Sequence, residues 1–487
     1  MEFTANILNE AYIEVLDDIG HCFASANARS PVRRLTTRAP LVTIRGRTDT
    51  IWLSIGVLGL LLTLLVNLVC HVPPLQDLND WVYQGYVIRG LVSGEAVPAA
   101  LKYWPVPNAF SQLVLAPMTW ALSPIATAKT FASLYLAISG WVMFWLSRRS
   151  DTTVDGLRFL LLICLVVVHS PYWAGEINYQ IGLTIFACYM VTDCRRRQPS
   201  FVLDTVIAVL LFLCHALCLG IYLIYIVWRL LMRGKPLQSV VSTLPSIVLL
   251  LWYAAMDPRP DRVDPNSVLN VEPKLSGVVD WIGYHLYVFA KVGPYQNLLV
   301  NNIGDFERFK AFYFAGVAVN VLFAAGVGLL AVTWVARSWQ DRTVTVPLLT
   351  ALSCAVIAII NPGRTLGIGN GTERFLYPTL IIAMLFFCGP SRWRRFAGAF
   401  GAFLPVFAAY LLIMMPRTAP LREIPDWSAM NRSDARPRIL FWHRPFMYLP
   451  QIEAAQEAAT NGTTPTADIL YQTSILRHKP EPGATSP

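Results

Sequence analysis

Residues 51–70 read IWLSIGVLGLLLTLLVNLVC, a run of twenty residues without a charged side chain. A helix of that length rises about 30 Å, which matches the hydrocarbon core of a bilayer. Lipid offers the backbone no hydrogen-bond partner, so an apolar run of this length predicts a membrane-spanning α-helix. Basic residues from Arg33 to Arg47 come before it, and the positive-inside rule then places the N-terminus in the cytoplasm. We expect a retained first span rather than a cleaved signal peptide.

Similar apolar runs continue to residue 415, and arginine clusters stand at many of their ends. Of the 487 residues, 55% are hydrophobic and only 14% are charged. A soluble domain carries about 25% charged residues, so the composition favours a polytopic membrane protein. The net charge of +9 does not indicate nucleic-acid binding, because the arginines lie where the positive-inside rule puts them. The predicted crossings are 51–70, 125–147, 156–170, 180–193, 201–214, 218–233, 237–256, 311–336, 344–360, 375–390 and 396–415.

The fold class predicted from these runs is all-α. We expect a polytopic transmembrane bundle of about 11 (10–13) helices, with short interfacial helices in its first outer loop. Residues 1–50 form a cytoplasmic amphipathic and basic segment, residues 51–415 form the bundle, and residues 416–487 form a polar tail. An odd number of crossings leaves that tail on the non-cytoplasmic side. The expected location is the plasma membrane of a bacterium, that is, its inner membrane.

Three segments outside the crossings have patterns of their own. Apolar residues recur at helical spacing between Ile7 and Ile19, which predicts an amphipathic helix on the cytoplasmic face. Segment 109–122 is apolar but has no place in the parity, so it is either a re-entrant helix or an additional crossing. Loop 257–310 is aromatic-rich and has few charges in its second half, which favours a helix lying at the membrane interface.

The first outer loop, residues 71–108, holds the most informative carboxylates. Asp77 and Asp80 stand three residues apart, on one face if the segment is helical, and Gly94 is placed to end that helix. A carboxylate on a short helix along the membrane surface is positioned to take a proton from a hydroxyl. The alternative is that one of these aspartates only caps the helix.

Further polar residues interrupt apolar sequence on the same predicted face. Glu176 and Asn178 lie in a turn between two apolar helices, where polar side chains are functional candidates unless they cap the helix ends. His215 breaks another apolar run, and its alternative role is a ring satisfied by a neighbouring carbonyl. Arg364 and Arg374 flank a glycine-rich segment whose backbone N–H groups could bind a phosphate. The alternative is a plain loop with no binding role.

A series of motifs runs through the first half of the chain: Asp80-Trp-Val-Tyr83, Gly94, Tyr103-Trp-Pro105, Ser123-Pro124 and Ala128-Lys129. Together they resemble the start of polytopic GT-C glycosyltransferases, which have an aspartate in the first outer loop, nearby aromatics, a later glycine, a Tyr/Pro motif and paired helices. The resemblance extends more loosely to Gly175-Glu176-Ile-Asn178-Tyr179, to His215 and to Arg374. Glu176 stands where such proteins often have glutamine, and His215 stands where some have lysine.

The resemblance implies a reaction. GT-C enzymes pass a sugar from a polyprenyl-phosphate carrier to an acceptor glycan, lipid or protein on the non-cytoplasmic side. Carried over to this chain, the catalytic base is Asp80, with Asp77 second. A lipid-linked phosphate at the bilayer surface needs cations around it, and aromatic residues suit a sugar ring. The predicted substrate-binding residues are Lys102, Trp104, Glu176, Asn178, His215, Arg364 and Arg374.

The co-substrate in this interpretation is the lipid-phosphate-linked sugar, with no bound cofactor. No zinc-type ligand spacing is present in the sequence, and whether a divalent metal takes part is left open. Asp257, Asp261 and Asp264 could bind a divalent cation, but the prolines between them favour a solvated loop.

Other functions compete with the glycosyltransferase interpretation. A polysaccharide polymerase or ligase performs related chemistry and is expected to have a large outer loop with arginine motifs. A transporter or flippase of envelope precursors is expected to show inverted repeats and charges at mid-membrane, whereas the polar residues here gather at one face. A non-catalytic member serving as a scaffold in envelope assembly is a third possibility.

Overall fold

Most residues that the structure describes lie in α-helices, which confirms the predicted all-α class. The computed structural model describes residues 43–44, 47–95, 97, 99–101, 105–150, 153–196, 200–233, 236–256, 278–296, 303–360, 371–387, 391–415, 448–463, 465 and 476–478. The predicted amphipathic helix between Ile7 and Ile19 and the aspartates of residues 257–264 lie outside this set.

The elements are numbered here in chain order. The helices that begin before residue 240 are α1 Arg47–Val69, α2 Gln76–Val92, α3 Phe110–Ala121, α4 Pro124–Leu146, α5 Gly156–Leu162, α6 Ser170–Trp173, α7 Ile177–Arg195, α8 Phe201–Cys214, α9 Ala216–Arg233 and α10 Pro236–Met256. The later helices are α11 Val278–Ala290, α12 Ile303–Gln340, α13 Val346–Ile360, α14 Gly371–Phe386, α15 Arg392–Gly401, α16 Leu404–Met414 and α17 Leu449–Asn461. Short strands are β1 Thr43–Ile44, β2 Ala99–Leu101, β3 Arg148–Ser150, β4 Thr153–Val154 and β5 Leu476–His478.

Within the described ranges, three helical segments are long and apolar enough to cross a membrane: Arg47–Val69, Ala311–Gln340 and Arg392–Met414, the last made of α15 and α16. They coincide with three of the predicted crossings. Shorter apolar helices occupy Gly156–Val167, Phe201–Cys214, Ala216–Met232, Val240–Ala255 and Val346–Ile360. Segment 109–122 forms α3, whose 12 residues span only about 18 Å, too little to cross a bilayer alone.

Helix α5 lies at the centre of the packing. It continues as a π-helical turn over Ile163–Val167, and every residue from Leu160 to Val167 is fully buried. A helix that is apolar on all sides must be covered on all sides, and α1, α4, α14 and α15 pack around it. The π turn ends the helix just before His169, where the chain enters the first turn of the candidate site.

At one end of the helices, segments with arginine clusters come together. The sheet β1–β4–β3 joins the N-terminal segment to the connection between α4 and α5. The Arg195 guanidinium lies 5.9 Å from the Trp145 ring centroid, and that of Arg337 lies 5.2 Å from the Phe387 ring. Helix ends that the topology assigns to one face are therefore neighbours.

Arg229, in the last turns of α9, also belongs to this end. It is buried, and its Nη2 lies 2.5 Å from Asp204 Oδ2 while Nη1 lies 3.1 Å from Asp193 Oδ1. Tyr189 and Tyr225 donate their hydroxyls to the same two carboxylates at 2.7 and 2.6 Å. The cluster ties α7, α8 and α9 together through charges that bulk lipid could not solvate.

The opposite end holds the first outer loop and the described part of the C-terminal tail. Helix α17 packs on α2 and α4, where Gln456 Oε1 accepts the Ile125 backbone N–H at 3.2 Å. Strand β5 pairs antiparallel with β2 in the first loop. Tyr83, Tyr86 and Ala455 share a small apolar core there, apart from the main core of the helices. This end also contains the predicted site residues.

Candidate functional site

Helix α2 begins and ends where local sequence allows it to. Leu75 is extended before the first turn and makes no side-chain cap, so neither aspartate is an N-cap. At the other end Gly94 adopts φ +76°, and the Glu95 and Gly94 N–H groups bond to the carbonyls of Gly90 and Leu91. This is the glycine-terminated ending that the sequence predicts. Asp80 therefore sits within the helix, and the capping alternative does not describe it.

Asp80 is buried, with 1% of its surface exposed. Gln84, one turn later, donates its Nε2–H to Asp80 Oδ2 at 2.5 Å. Among the described residues the other carboxyl oxygen, Oδ1, has no hydrogen-bond partner. Burial raises the pKa of Asp80 to about 7, and the Gln84 hydrogen bond opposes that rise. A carboxyl group with such a pKa is suited to accept a proton near neutral pH.

Asp77 is held by the turn that joins α6 to α7. Its backbone N–H donates to the Ala174 carbonyl at 2.9 Å. Gly175 in that turn has φ +76°, and a Cβ there would lie 2.6 Å from the Asp77 and Leu78 backbone nitrogens. Only glycine therefore lets the turn approach the start of α2 so closely. Burial raises the pKa of Asp77 well above its ordinary value, with further contributions from Glu176 and Asp80.

Glu176, Arg374 and His215 meet although they are far apart in sequence. Arg374 in the first turn of α14 places Nη2 2.6 Å from Glu176 Oε1 and Nη1 2.8 Å from His215 Nε2. The Arg374 guanidinium lies over the Tyr179 ring, 5.6 Å from the ring centroid, and the Tyr179 hydroxyl donates to the Arg374 carbonyl at 2.5 Å. The arginine is thus oriented by three groups from two other segments of the chain, the start of α7 and the connection between α8 and α9.

The His215 ring is neutral in this arrangement. Its Nδ1 faces the Leu217 backbone N–H at 3.1 Å, and its Nε2 faces the Arg374 guanidinium. A neutral imidazole can accept at one of these nitrogens, whereas a protonated ring could accept at neither. Burial and the charge of Arg374 lower the pKa of His215 well below its ordinary value. His215 is therefore not one of the cations of the site, although it contacts one.

A second ion pair lies beside the first. Lys291 Nζ is 2.6 Å from Glu373 Oε2, and both side chains are buried. Burial by itself lowers the Lys291 pKa, but Glu373 outweighs it and the net shift is upward. Asn320 on α12 holds the loop after Lys291 by hydrogen bonds to the Ala290 and Tyr295 carbonyls at 3.0 and 2.8 Å.

The charges of the cluster balance only if some carboxyl groups are protonated. Glu176 pairs with Arg374, and Glu373 pairs with Lys291. Burial raises the pKa of both Asp77 and Asp80; Glu176 and Asp80 raise the Asp77 pKa further, and Arg374 opposes that rise. Loss of the proton from Asp77 would place a negative charge near the Glu176 carboxylate.

The structure brings together four of the predicted residues, Asp77, Glu176, His215 and Arg374, and Asp80 lies one turn after Asp77 on α2. Asn178 is near them but fully engaged. Its Oδ1 accepts from Ser111 N and Oγ at 2.7 and 2.6 Å, and its Nδ2 donates to the Asn108 carbonyl at 2.9 Å. Asn178 thus anchors α3 to α7. Lys102, Trp104 and Arg364 lie outside the described residues.

Sequence reasoning did not identify Gln84 or the pairing of Lys291 with Glu373. Gln84 stands four residues after Asp80, a spacing that places two side chains on one helix face and was available as a signal. The Lys291–Glu373 pair joins positions 82 residues apart, which no local pattern reveals. The aromatic residues Tyr172 and Trp173, just before the Gly175 turn, are buried in the core.

No described group of three or more His, Cys, Asp or Glu residues is arranged to hold a metal ion. A groove on the same end of the protein is lined by His71, Ser123, Ile125, Glu453, Gln456, Glu457, Thr460 and Asn461. It lies between α17 and the start of α4, and none of the predicted site residues lines it. Asp80 is closed off from solvent in this conformation.

The Gly175 turn provides a direct test of how α2 is held. Gly175→Ala is expected to destabilise the protein more than Gly94→Ala, because both glycines have φ +76° but only at position 175 would the new Cβ collide with backbone atoms. Thermal unfolding in detergent measures the difference. Equal losses in the two variants would show that the turn does not need this close approach.

No family model, no curated protein and no solved structure matches the chain. The arrangement of side chains described above is therefore the basis of the functional proposal.

Proposed function

We propose that the protein is an integral membrane glycosyltransferase of GT-C type, which moves a sugar from a polyprenyl-phosphate donor to an acceptor on the non-cytoplasmic face. The observation that carries this proposal is the meeting of Asp77, one turn before Asp80 on α2, with Glu176, Arg374 and His215. These residues come from the first outer loop and from three other connections assigned to the same face. Charged side chains beside apolar helices raise the free energy of the fold unless they face protein groups or water, and such residues are functional candidates.

In the proposed reaction Asp80 is the general base. Its Oδ1 accepts the proton of the acceptor hydroxyl while the hydroxyl oxygen forms a bond to the anomeric carbon of the donor. The bond between that carbon and the phosphate oxygen breaks, and the electron pair leaves with the phosphate. Phosphate is a good leaving group, so the base contributes more than an acid would. The pKa of Asp80 near 7 keeps a large fraction ready to accept a proton at neutral pH.

Arg374 and Lys291 are the cations available to the phosphate. Each is now paired with a glutamate, Glu176 or Glu373, at 2.6 Å. Two oxygens of a phosphate can accept two parallel N–H bonds from an arginine, as the two oxygens of a carboxylate do. We propose that donor binding exchanges Glu176 for phosphate on Arg374, and that the released carboxylate then faces the sugar hydroxyls. Access to the buried Asp80 requires movement of the surrounding side chains.

The proposed topology is the bundle of about 11 crossings in the bacterial inner membrane, with the N-terminus in the cytoplasm. It is supported by the grouping of helix ends: arginine-bearing ends meet at one end, and the site residues meet at the other. The short apolar helices fit this scheme if neighbouring helices shield their ends. The bilayer and a lipid-linked sugar are then the partners of the protein.

A topology experiment follows from this scheme. A reporter fused after Arg197 is expected to read cytoplasmic, and one fused after Pro420 is expected to read external, because the arginine-rich ends stay inside. Paired phosphatase and fluorescent reporters at each position measure the side. The reverse pattern would place the candidate site in the cytoplasm and exclude transfer on the outer face.

The activity itself can be tested without knowing the acceptor, because water can take its place. Protein in nanodiscs is incubated with farnesyl-phosphate glucose, mannose, galactose or arabinose, and release of free sugar is measured. Turnover of at least one donor that depends on Asp80 is expected. Substrate counterflow in vesicles with no glycoside formed or hydrolysed would instead identify a transporter, and the proposal would then be wrong.

A further inference from the structure

Beside Asp80 lie two buried amide side chains, Gln84 and Gln112, that the reaction scheme above does not use. Gln84 contacts Asp80 Oδ2 through Nε2 at 2.5 Å, and Gln112 on α3 lies 3.4 Å from Gln84 Oε1. Asp80, Gln84 and Gln112 are each at most 1% exposed. Burying amides is unfavourable unless they are hydrogen-bonded, so their presence in an apolar environment needs a reason.

The Gln112 amide has two alternative orientations. In one, its Nε2–H donates to Gln84 Oε1 at 3.4 Å. Turned over, its nitrogen donates instead to the Asn108 and Ala109 carbonyls at 3.1 and 3.2 Å and no longer to Gln84. Asn178 donates to the same Asn108 carbonyl from α7. The hydrogen bond from Gln84 to Asp80 is present with either orientation of Gln112.

We propose that Gln84 is a positioning residue for Asp80: its amide N–H holds Oδ2, stabilises the ionised carboxylate and leaves Oδ1 as the atom that accepts the substrate proton. This inference rests on the proposed function, since Asp80 is the base there. A single donor on one oxygen makes the two oxygens of the carboxylate inequivalent.

The charged surroundings of Asp80 define what else can shift its titration. On α2 itself, Asp77 lies one turn earlier and interacts with Asp80, while Arg89 is directed to the Thr119 carbonyl at 3.2 Å. On α4, Lys129 donates to the Leu68 carbonyl at 3.0 Å. On α17, Glu453 and Glu457 line the groove beside α4. From the turn before α7 and from α14, Glu176 and Arg374 face Asp77.

The test compares Gln84→Leu with the wild type in the pH dependence of farnesyl-phosphate sugar hydrolysis. Removing a donor to a buried carboxylate disfavours its ionised form, so the pH at which half-maximal activity is reached should rise by about 1–2 units. Gln84→Met, which keeps the chain length of glutamine, is the second variant if leucine does not fold. Gln84→Asn keeps the amide on a side chain shorter by one methylene. Its half-maximal pH should rise less than that of Gln84→Leu, to the extent that the shorter amide still donates to Asp80.

Gln180→Leu is the matched control, because it also replaces a fully buried glutamine, one that donates to the Val167 carbonyl instead. It is expected to leave the half-maximal pH in place, whatever it costs in stability. A second readout needs no substrate: the difference in melting temperature between each protein and its Asp80→Asn partner, followed from pH 4 to pH 9. The pH at which that difference levels off should be higher in the Gln84 variants.

The outcomes separate the two proposals. An unmoved midpoint in Gln84→Leu and Gln84→Met, in activity and in the melting curves, overturns the positioning role. An equal shift in Gln180→Leu overturns it as well, because a general loss of packing would then be the cause. If the wild type turns over no donor while the melting curves shift as expected, the proposed function fails and the Gln84–Asp80 coupling stands.

Discussion

Asp80→Asn is expected to lower donor hydrolysis and sugar transfer by about 10²- to 10⁴-fold, the usual contribution of a general base. Asparagine is nearly isosteric with aspartate and its carbonyl oxygen still accepts the Gln84 N–H, so the helix and its contacts remain. What disappears is the oxygen that can take a proton. Initial rates with farnesyl-phosphate sugars measure the effect, and donor binding by isothermal titration should change little.

The same variant is expected to be more stable than the wild type above neutral pH. The pKa of Asp80 is about 7 in the folded protein, above its ordinary value of 3.8, so folding favours the protonated form. Between these values the folded state binds more protons than the unfolded state, and stability falls as pH rises. Above pH 7 the full cost of a buried carboxylate is present, on the order of 4 kcal/mol, and asparagine removes it.

Two controls make this result decisive. Asp341→Asn, at an exposed position after α12, tests the effect of the same substitution away from the site and should change neither rate nor melting temperature. Asp77→Asn tests the second carboxyl. Wild-type rates in Asp80→Asn would remove Asp80 as the base, and wild-type rates in Asp80→Asn with strong loss in Asp77→Asn would transfer that role to Asp77.

Arg229→Met should have the largest effect on stability, a loss of about 3–5 kcal/mol. The guanidinium is the shared partner of Asp193 and Asp204, and all three side chains are buried. Without it two carboxylates remain in an environment that solvates them poorly. Thermal unfolding in detergent and the yield of folded protein measure the loss.

The appropriate comparison removes the stranded charges together with the arginine. Arg229→Met combined with Asp193→Asn and Asp204→Asn should recover most of the stability, because neutral amides leave no unpaired buried charge. Arg337→Met, at an exposed arginine on the same end of the helices, should cost little. Equal effects of Arg229→Met and Arg337→Met would mean that the buried cluster contributes nothing to the fold.

Glu176 and Arg374 form one electrostatic unit. The Glu176 carboxylate lies 2.6 Å from the Arg374 guanidinium. A glutamine at position 176 would accept from the same guanidinium but would leave its charge uncompensated.

The all-α character, the positions of most helices and the termination of α2 at Gly94 could be predicted from the sequence. These features depend on the length of apolar runs and on local backbone preferences, which act over a few residues. The local pattern indicated both Asp77 and Asp80, and the preference for Asp80 came from the resemblance to GT-C glycosyltransferases. The sequence did not show that Arg229 is buried, since a basic residue near a helix end has the same pattern whether it faces water or a carboxylate.

Which polar groups meet depends on the tertiary packing of segments that are distant in the sequence. Glu176 and Arg374 are 198 residues apart, and their contact depends on how α7 and α14 pack around α5. The neutral state of His215, the pairing of Lys291 with Glu373 and the hydrogen bond from Gln84 to Asp80 likewise follow from packing. The reason is that electrostatic and hydrogen-bond energies depend on distance and burial, which the order of residues along the chain does not contain.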